Sequence, residues 1–258
     1  MAHLLLHGRP MAPIDAVLFD KDGTMSHSEP LLVKLARARL LHCLKEASSA
    51  GLAAEAVDAL RDLLRRSYGL HADGVDPAGI TAVASRDHNL IATATSLVQV
   101  GLGWPEALSL SSSVFDACDA LPGQESPAHP LPTAGLSGLL ESLSAADVRC
   151  AVISNDHLRG IHGFLGQHGL SHHFQAIWSA EHRPCKPDPA AVHGVCASLG
   201  IPPERCALIG DANSDLRMAR QAGVAVVLGY RAGWSQPPPL DPEVPQISHW
   251  HELQVEPA

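Results

Sequence analysis

The sequence is short of positive charge, and above all of lysine. Of its 258 residues, 18 are Lys or Arg against 27 Asp or Glu, a formal net charge of −9. That balance argues against nucleic acid or an anionic membrane surface as a general partner. The only lysines are Lys21, Lys34, Lys45 and Lys186. Aromatic residues make up 4% of the chain, too few for the stacking platforms on which single strands are held. No apolar run approaches the roughly 18 residues of a membrane helix, and the longest candidate, 224–228, has the length of a strand. The cysteines, Cys43, Cys118, Cys150, Cys185, Cys196 and Cys206, include no C-x-x-C pair, and no basic segment followed by a long apolar one opens the sequence. The expectation is a cytoplasmic protein with reduced thiols. What the chain does have is 46% hydrophobic residues, enough for one sizeable core and a smaller second unit.

Strand-like segments lie at 15–20, 148–154, 175–179, 205–210 and 224–229, most of them followed by helical patterns near 134–146, 158–168, 189–199 and 213–222. This alternation predicts an α/β fold with a parallel sheet. Between the first two strands, 31–47 and then Val57, Leu60, Leu63 and Leu64 repeat at helical spacing, which predicts an inserted all-helical domain. Pro30 marks one joint of the insertion, and Pro122, Pro127, Pro130 and Pro132 crowd the other into a stiff linker. The expected organisation is a disordered extension over 1–10, a core domain over 11–28 and 131–258, and a helical domain with its linkers over 29–130. Near the C-terminus, 237–239 reads as an extended surface segment, with Trp250 and Leu253 tacking the tail to the body.

The first strand runs into Asp20-Lys21-Asp22-Gly23-Thr24. A strand's period of two points both carboxylates to one side and sends Lys21 away from them. Gly23 lets the backbone approach a ligand closely, at the strand end where parallel sheets place their sites. The second strand ends in Ser154-Asn155-Asp156, a hydroxyl and backbone N–H groups at a helix start, suited to an anion. In Cys185-Lys186-Pro187-Asp188-Pro189 a scarce lysine precedes another helix, where a fixed ammonium balances an incoming phosphate. The fourth strand leads to Gly210-Asp211-Ala212-Asn213-Ser214-Asp215, with two carboxylates at i and i+4 around a helix start. Each piece alone reads equally as a turn or a helix cap. All four fall at corresponding strand exits.

Together these residues resemble the haloacid dehalogenase-like (HAD) hydrolases, whose motifs are DxDGT, a Ser or Thr after the second core strand, a Lys, and GDxxxD. The resemblance covers about 14–228, with the insertion where the helical-cap subclass carries it, and the segments 131–155 and 186–223 look most like phosphoglycolate phosphatases. It implies a Rossmann-like core with a helical cap. It also implies that Asp20 is the nucleophile, forming an aspartyl phosphate, and that Asp22 is the general acid and base. Ser154 and Asn155, with Gly23 and Thr24, would hold the phosphoryl group while Lys186 offsets its charge. A Mg²⁺ ion is implied too, held by the Asp20 carboxylate, the backbone carbonyl of Asp22 and the Asp211 carboxylate, with Asp215 orienting a metal-bound water or the lysine. The charges agree with a cation, since four aspartates face only Lys186.

Where relatives often carry Asp-Ser after the first motif, this chain has Met25-Ser26-His27-Ser28, and His27 reads as a solvated loop residue. In the cap, Arg65, Arg66 and Tyr68, and the run Arg86-Asp87-His88-Asn89, are the polar clusters able to recognise a carboxylate or hydroxyls; Arg86 and His88 are the candidate substrate contacts. The expected function is a Mg²⁺-dependent phosphatase for a small phosphomonoester, phosphoglycolate first. The alternatives are a phosphosugar mutase of the same family and a non-catalytic regulatory protein that binds a phosphate ligand. The expected partner is a small phosphorylated metabolite, with no nucleic acid or membrane, and both monomer and homodimer are open. Dehalogenase and phosphonate hydrolase chemistry is disfavoured, because those relatives lack the second acid that Asp22 supplies.

Overall fold

The expected disordered extension over 1–10 is instead a hairpin. Strand β1 (Ala2–Leu6) turns through His7 and Gly8, both at positive φ, into β2 (Arg9–Ile14). A two-residue loop with both central residues left-handed matches the twist of the flanking strands. Ala2 and Leu4 are buried in the main core, which is what holds the hairpin down. As an edge strand, β2 can carry Pro10 and Pro13 without losing ladder hydrogen bonds, and those prolines disguise it as a loop in the sequence.

The computed structural model describes residues 2–120 and 130–257; the linker residues Pro122 and Pro127 lie outside them. The chain divides into two units, Met1–Ser28 with Pro130–Ala258, and Glu29–His129. In the first, β3 (Ala16–Phe19) is buried along its whole length. Ala16 and Leu18 face one apolar layer while Val17 and Phe19 face the other, so the strand's alternation serves two cores at once.

The second unit consists of α1 (Glu29–Ser49), α2 (Ala54–Ser67), the single turn α3 (Ile80–Val83), α4 (Arg86–Gln99) and α5 (Trp104–Asp119). Helix α1 packs on α2 and α5, and α4 packs on α2 and α5. Their shared interior includes Leu40, Cys43 and Leu44 of α1, Leu60 and Leu64 of α2, Leu97 of α4 and Phe115 of α5, spaced three and four apart as an amphipathic helix requires.

The first unit resumes with α6 (Leu136–Ala145), β4 (Arg149–Ile153), α7 (Leu158–Gln167), β5 (Phe174–Trp178), α8 (Pro189–Leu199), β6 (Cys206–Gly210), α9 (Asn213–Gln221), β7 (Val226–Tyr230), β8 (Gln246–Ile247) and β9 (Leu253–Pro257). The main sheet is parallel, in the order β5-β4-β3-β6-β7-β8. Helices α6 and α7 supply one apolar layer, α8 and α9 the other. This is the doubly wound, Rossmann-like arrangement. A second, antiparallel sheet, β2-β1-β9, seats the C-terminal strand beside the hairpin. Trp250 anchors the tail as the sequence suggests: it stacks on Tyr230 with centroids 4.4 Å apart and donates its indole N–H to Thr133 Oγ1 at 2.8 Å. Among the described residues, no helix is long and apolar enough to cross a membrane.

Candidate active site

Chain order reverses at β3, whose neighbours are β4 on one side and β6 on the other. Such a switch point opens a crevice at the carboxyl ends of the strands. Asp20 follows β3 and Asp211 follows β6, and the two strands are tied together there by the Asp20 N–H donating to the Ile209 carbonyl at 3.0 Å. Asp215 lies in the first turn of α9. Lys186 is held just before α8, whose first turn is fixed by Pro189 and by Asp188 Oδ1 accepting the Ala190 N–H at 2.9 Å. Thus three strand exits meet around one ammonium. Lys186 Nζ donates to Asp20 Oδ1 at 2.6 Å and lies 2.8 Å from Asp215 Oδ1.

Asp20, Asp211 and Asp215 each offer a carboxylate oxygen within 4.8 Å of the others, and all three are buried. Burial, first, and the neighbouring Asp215 push Asp20 up to about 6 although Lys186 pulls the other way. Asp211 is held well above the usual carboxylate range by burial and by Asp20 and Asp215. Burial alone would lower Lys186, but Asp20 and Asp215 outweigh it and hold the ammonium above its ordinary value. Three buried carboxylates thus face one ammonium, and with all three ionised the cluster carries more negative charge than one lysine balances. An all-oxygen, buried donor set with surplus negative charge fits a hard divalent cation such as Mg²⁺. Asp215, expected near a metal-bound water or the lysine, contacts the lysine.

Asp22 sits in a different network, and Lys21 does not point away from it. Lys21 Nζ lies 2.5 Å from Asp22 Oδ1 and 3.0 Å from Asp156 Oδ2, and it is almost fully buried. The alternation argument fails because the strand ends at Phe19; residues 21–26 form a tight turn in which Thr24 and Ser26 both donate backbone N–H groups to the Lys21 carbonyl. Asp22 Oδ1 also accepts the Ser28 hydroxyl, which is in turn 2.6 Å from Ser26 Oγ. These serines come from the stretch that departs from the family pattern, while His27 between them is exposed.

Ser154 is buried at the end of β4, where its Oγ accepts the Asp156 N–H at 3.1 Å; Asn155 beside it is half-buried. Gly23 and Thr24 both bear on Asp211. Thr24 Oγ1 donates to Asp211 Oδ1 at 2.9 Å and is completely buried. Gly23, at φ +78°, is required because a Cβ there would overlap the Trp234 indole and Asp211 Oδ2. Trp234 donates its indole N–H to Asp211 Oδ2 at 2.6 Å. Sequence reasoning missed Trp234 as part of this site and gave Asp156, quoted in the second motif, no partner in Lys21. The only signal for the first was a glycine beside a scarce tryptophan.

In the helical unit the candidate residues are largely committed. The Arg86 guanidinium bonds to Asp119 at 2.6 Å and to Asp116 at 2.7 Å, so its charge is matched within the unit instead of held for a substrate. His88 is exposed on α4. Tyr68 is fully buried, its hydroxyl 2.5 Å from Thr93 Oγ1, and Asn89 donates to the Ile80 and Ser85 carbonyls. Arg65 and Arg66, with Asp62, His71 and Asp76, line a cleft of about 640 Å³.

Comparison with known proteins matches this arrangement. The sequence profile of the haloacid dehalogenase-like hydrolases fits residues 14–223. Phosphoglycolate phosphatases from Pseudomonas putida and from Pseudomonas savastanoi pv. phaseolicola are 32% and 34% identical over 114 and 115 residues, 44% of this chain in each case. The match spans only 42% of the length of either relative. In fold, the chain is similar to the crystal structure of a predicted phosphoglycolate phosphatase from Haemophilus somnus, with a TM-score of 0.60 and 21% identity over 85% of this chain and 86% of that one. It is also similar to a HAD-superfamily hydrolase from Ehrlichia chaffeensis, with a TM-score of 0.52 and 18% identity over 94% and 95% of the two chains. With the four motifs gathered at one end of a parallel sheet and a family profile spanning most of the sequence, the chain belongs to the haloacid dehalogenase-like hydrolases.

Proposed function

We propose that the protein is a Mg²⁺-dependent phosphatase that hydrolyses a small phosphomonoester, with phosphoglycolate the first substrate to test, through an aspartyl phosphate on Asp20. The observation that carries this reading is the buried cluster of Asp20, Asp211 and Asp215 around Lys186. Asp20, although pushed up to about 6, is mostly ionised at neutral pH and so retains the form that attacks phosphorus. As the Asp20 carboxylate oxygen forms its bond to phosphorus, the ester P–O bond breaks and the leaving alkoxide takes a proton from Asp22. Asp22 then accepts a proton from the water that attacks the aspartyl phosphate, and inorganic phosphate leaves with Asp20 restored. Lys186 balances charge on the phosphoryl oxygens, and Ser154 with Asn155 orients them. The carboxylates of Asp20 and Asp211 and the carbonyl of Asp22 would hold Mg²⁺, which when bound neutralises the phosphate charge and exposes phosphorus to attack.

Phosphoglycolate is supported by the curated relatives that bear that activity in their names. Six free thiols fit a protein that works in the reducing cytoplasm. The test is release of inorganic phosphate across a panel of phosphomonoesters with Mg²⁺, run beside Asp20→Asn and beside EDTA. Either treatment should abolish turnover, and undiminished hydrolysis under either would overturn the mechanism. Isomerisation of a sugar phosphate without phosphate release would identify a mutase instead. Binding of beryllofluoride with no turnover on any ester would identify a regulatory protein.

A further inference from the structure

We propose that Trp234 is a positioning residue for Asp211, holding its carboxylate in the orientation that receives the metal; this rests on the Mg²⁺-phosphatase reading. Asp211 is fixed through both oxygens: Thr24 Oγ1 donates to Oδ1 at 2.9 Å and Trp234 Nε1 donates to Oδ2 at 2.6 Å. The two donors are far apart in sequence, one in the turn after β3 and the other in the segment after β7, and both leave the same end of the parallel sheet. Trp234 is 7% exposed and Asp211 2%, so water offers neither group a ready substitute.

The contact is built into the backbone. A Cβ at Gly23 would overlap the Trp234 indole nitrogen, and a Cβ at Gly233 would overlap the Gly23 carbonyl. Two glycines thus let the segment carrying Trp234 press directly against the turn that follows the nucleophile. An indole N–H is a donor only, and it neither titrates in the working pH range nor ligates a metal. A carboxylate has about four lone-pair sites, so two donors pin its plane and leave lone pairs open. Asp211 also hydrogen-bonds the neighbouring Asp20 carboxyl, and without the indole only Thr24 opposes that contact, which a bound cation has to replace.

The variant that isolates this role is Trp234→Phe, which removes the donor and keeps an aromatic ring in place. Titration calorimetry of the full chain with MgCl2 should show affinity weakened about 10–100-fold, the usual effect of losing a partner of a ligating residue, with kcat largely recovered at saturating Mg²⁺. Unchanged Mg²⁺ affinity in the variant, with the wild type binding normally, would overturn the inference and leave the phosphatase reading standing. Wild-type protein that binds no Mg²⁺ and hydrolyses esters in EDTA would overturn both. Should the variant not fold, the wild type supplies the readout: among the indole 1H–15N resonances of its four tryptophans, one should shift as Mg²⁺ saturates the site. No movement of any indole resonance at saturation would sink the idea.

Discussion

Lys186 and Asp215 form a buried ion pair, with Nζ 2.8 Å from Oδ1, and the same ammonium reaches Asp20 at 2.6 Å. The lysine is therefore aimed by Asp215, the last residue of the fourth motif. Lys186→Met should lower kcat about 100–1000-fold, as loss of a transition-state donor does. Asp215→Asn keeps a hydrogen-bond acceptor and removes a charge, so its loss should be smaller, about 10–100-fold. Steady-state phosphate release from the best ester of the panel measures both, and equal losses would contradict the division of roles.

The raised value of Asp20 gives the metal-free protein a pH dependence of known sign. Burial, foremost, carries this carboxyl from 3.8 to about 6. Between those values the folded chain holds a proton that the unfolded chain has released, so at this group stability falls as pH rises, and the loss is complete above about pH 6. In EDTA, wild type should therefore lose thermal stability relative to Asp20→Asn on going from pH 4.5 to pH 7.5, as read by Tm. Mg²⁺ affinity should run the other way and weaken several-fold from pH 7.5 to pH 5.5 in calorimetry, because protons then compete for its ligands.

Lys21 bridges Asp22 and Asp156 from a buried position. Lys21→Met leaves two partly exposed carboxylates facing each other without their cation, which costs about 1–3 kcal/mol. Lys21→Met with Asp156→Asn should regain much of that stability, because one of the stranded charges is gone. Urea unfolding of the two single variants and the double variant measures this coupling, and additive losses would mean that the ion pairs contribute nothing.

The N-terminal hairpin makes a prediction about folding alone. Leu4 is 1% exposed and belongs to the main core. Leu4→Ala should cost about 2–5 kcal/mol, the range for truncating a buried leucine. His3, on the exposed face of the same strand, should tolerate alanine within about 0.5 kcal/mol. Equal behaviour of the two in chemical denaturation would contradict the packing of β1 described above.

The parallel sheet was legible because a strand buried on both faces must be apolar without interruption, and Ala16–Phe19 and Cys206–Gly210 are. The motif residues stood out for the converse reason, being charged groups placed directly after such runs. The hairpin was not legible, since β2 contains two prolines that only its edge position tolerates. Lys21 departs from the period-two expectation because the strand stops at Phe19, before the alternation reaches it. Arg86 looked available in the sequence, yet its partners Asp116 and Asp119 lie 30 and 33 residues away and are brought to it by the packing of α4 on α5.

By itself the sequence determined the strand and helix alternation of the core, the helical insertion and the identity of the charged groups, because strand and helix periods and isolated motifs are properties of neighbouring residues. The tertiary structure alone decided which charges meet. Lys186 joins Asp20 across 166 positions and Thr24 joins Asp211 across 187, while Lys21 turns back on its own neighbour. Trp234, marked in the sequence only by the glycine before it, reaches Asp211 because two glycines let its loop close on the turn after β3. Hydrogen bonds and desolvation act over a few ångströms, and only the fold sets which residues come within that distance.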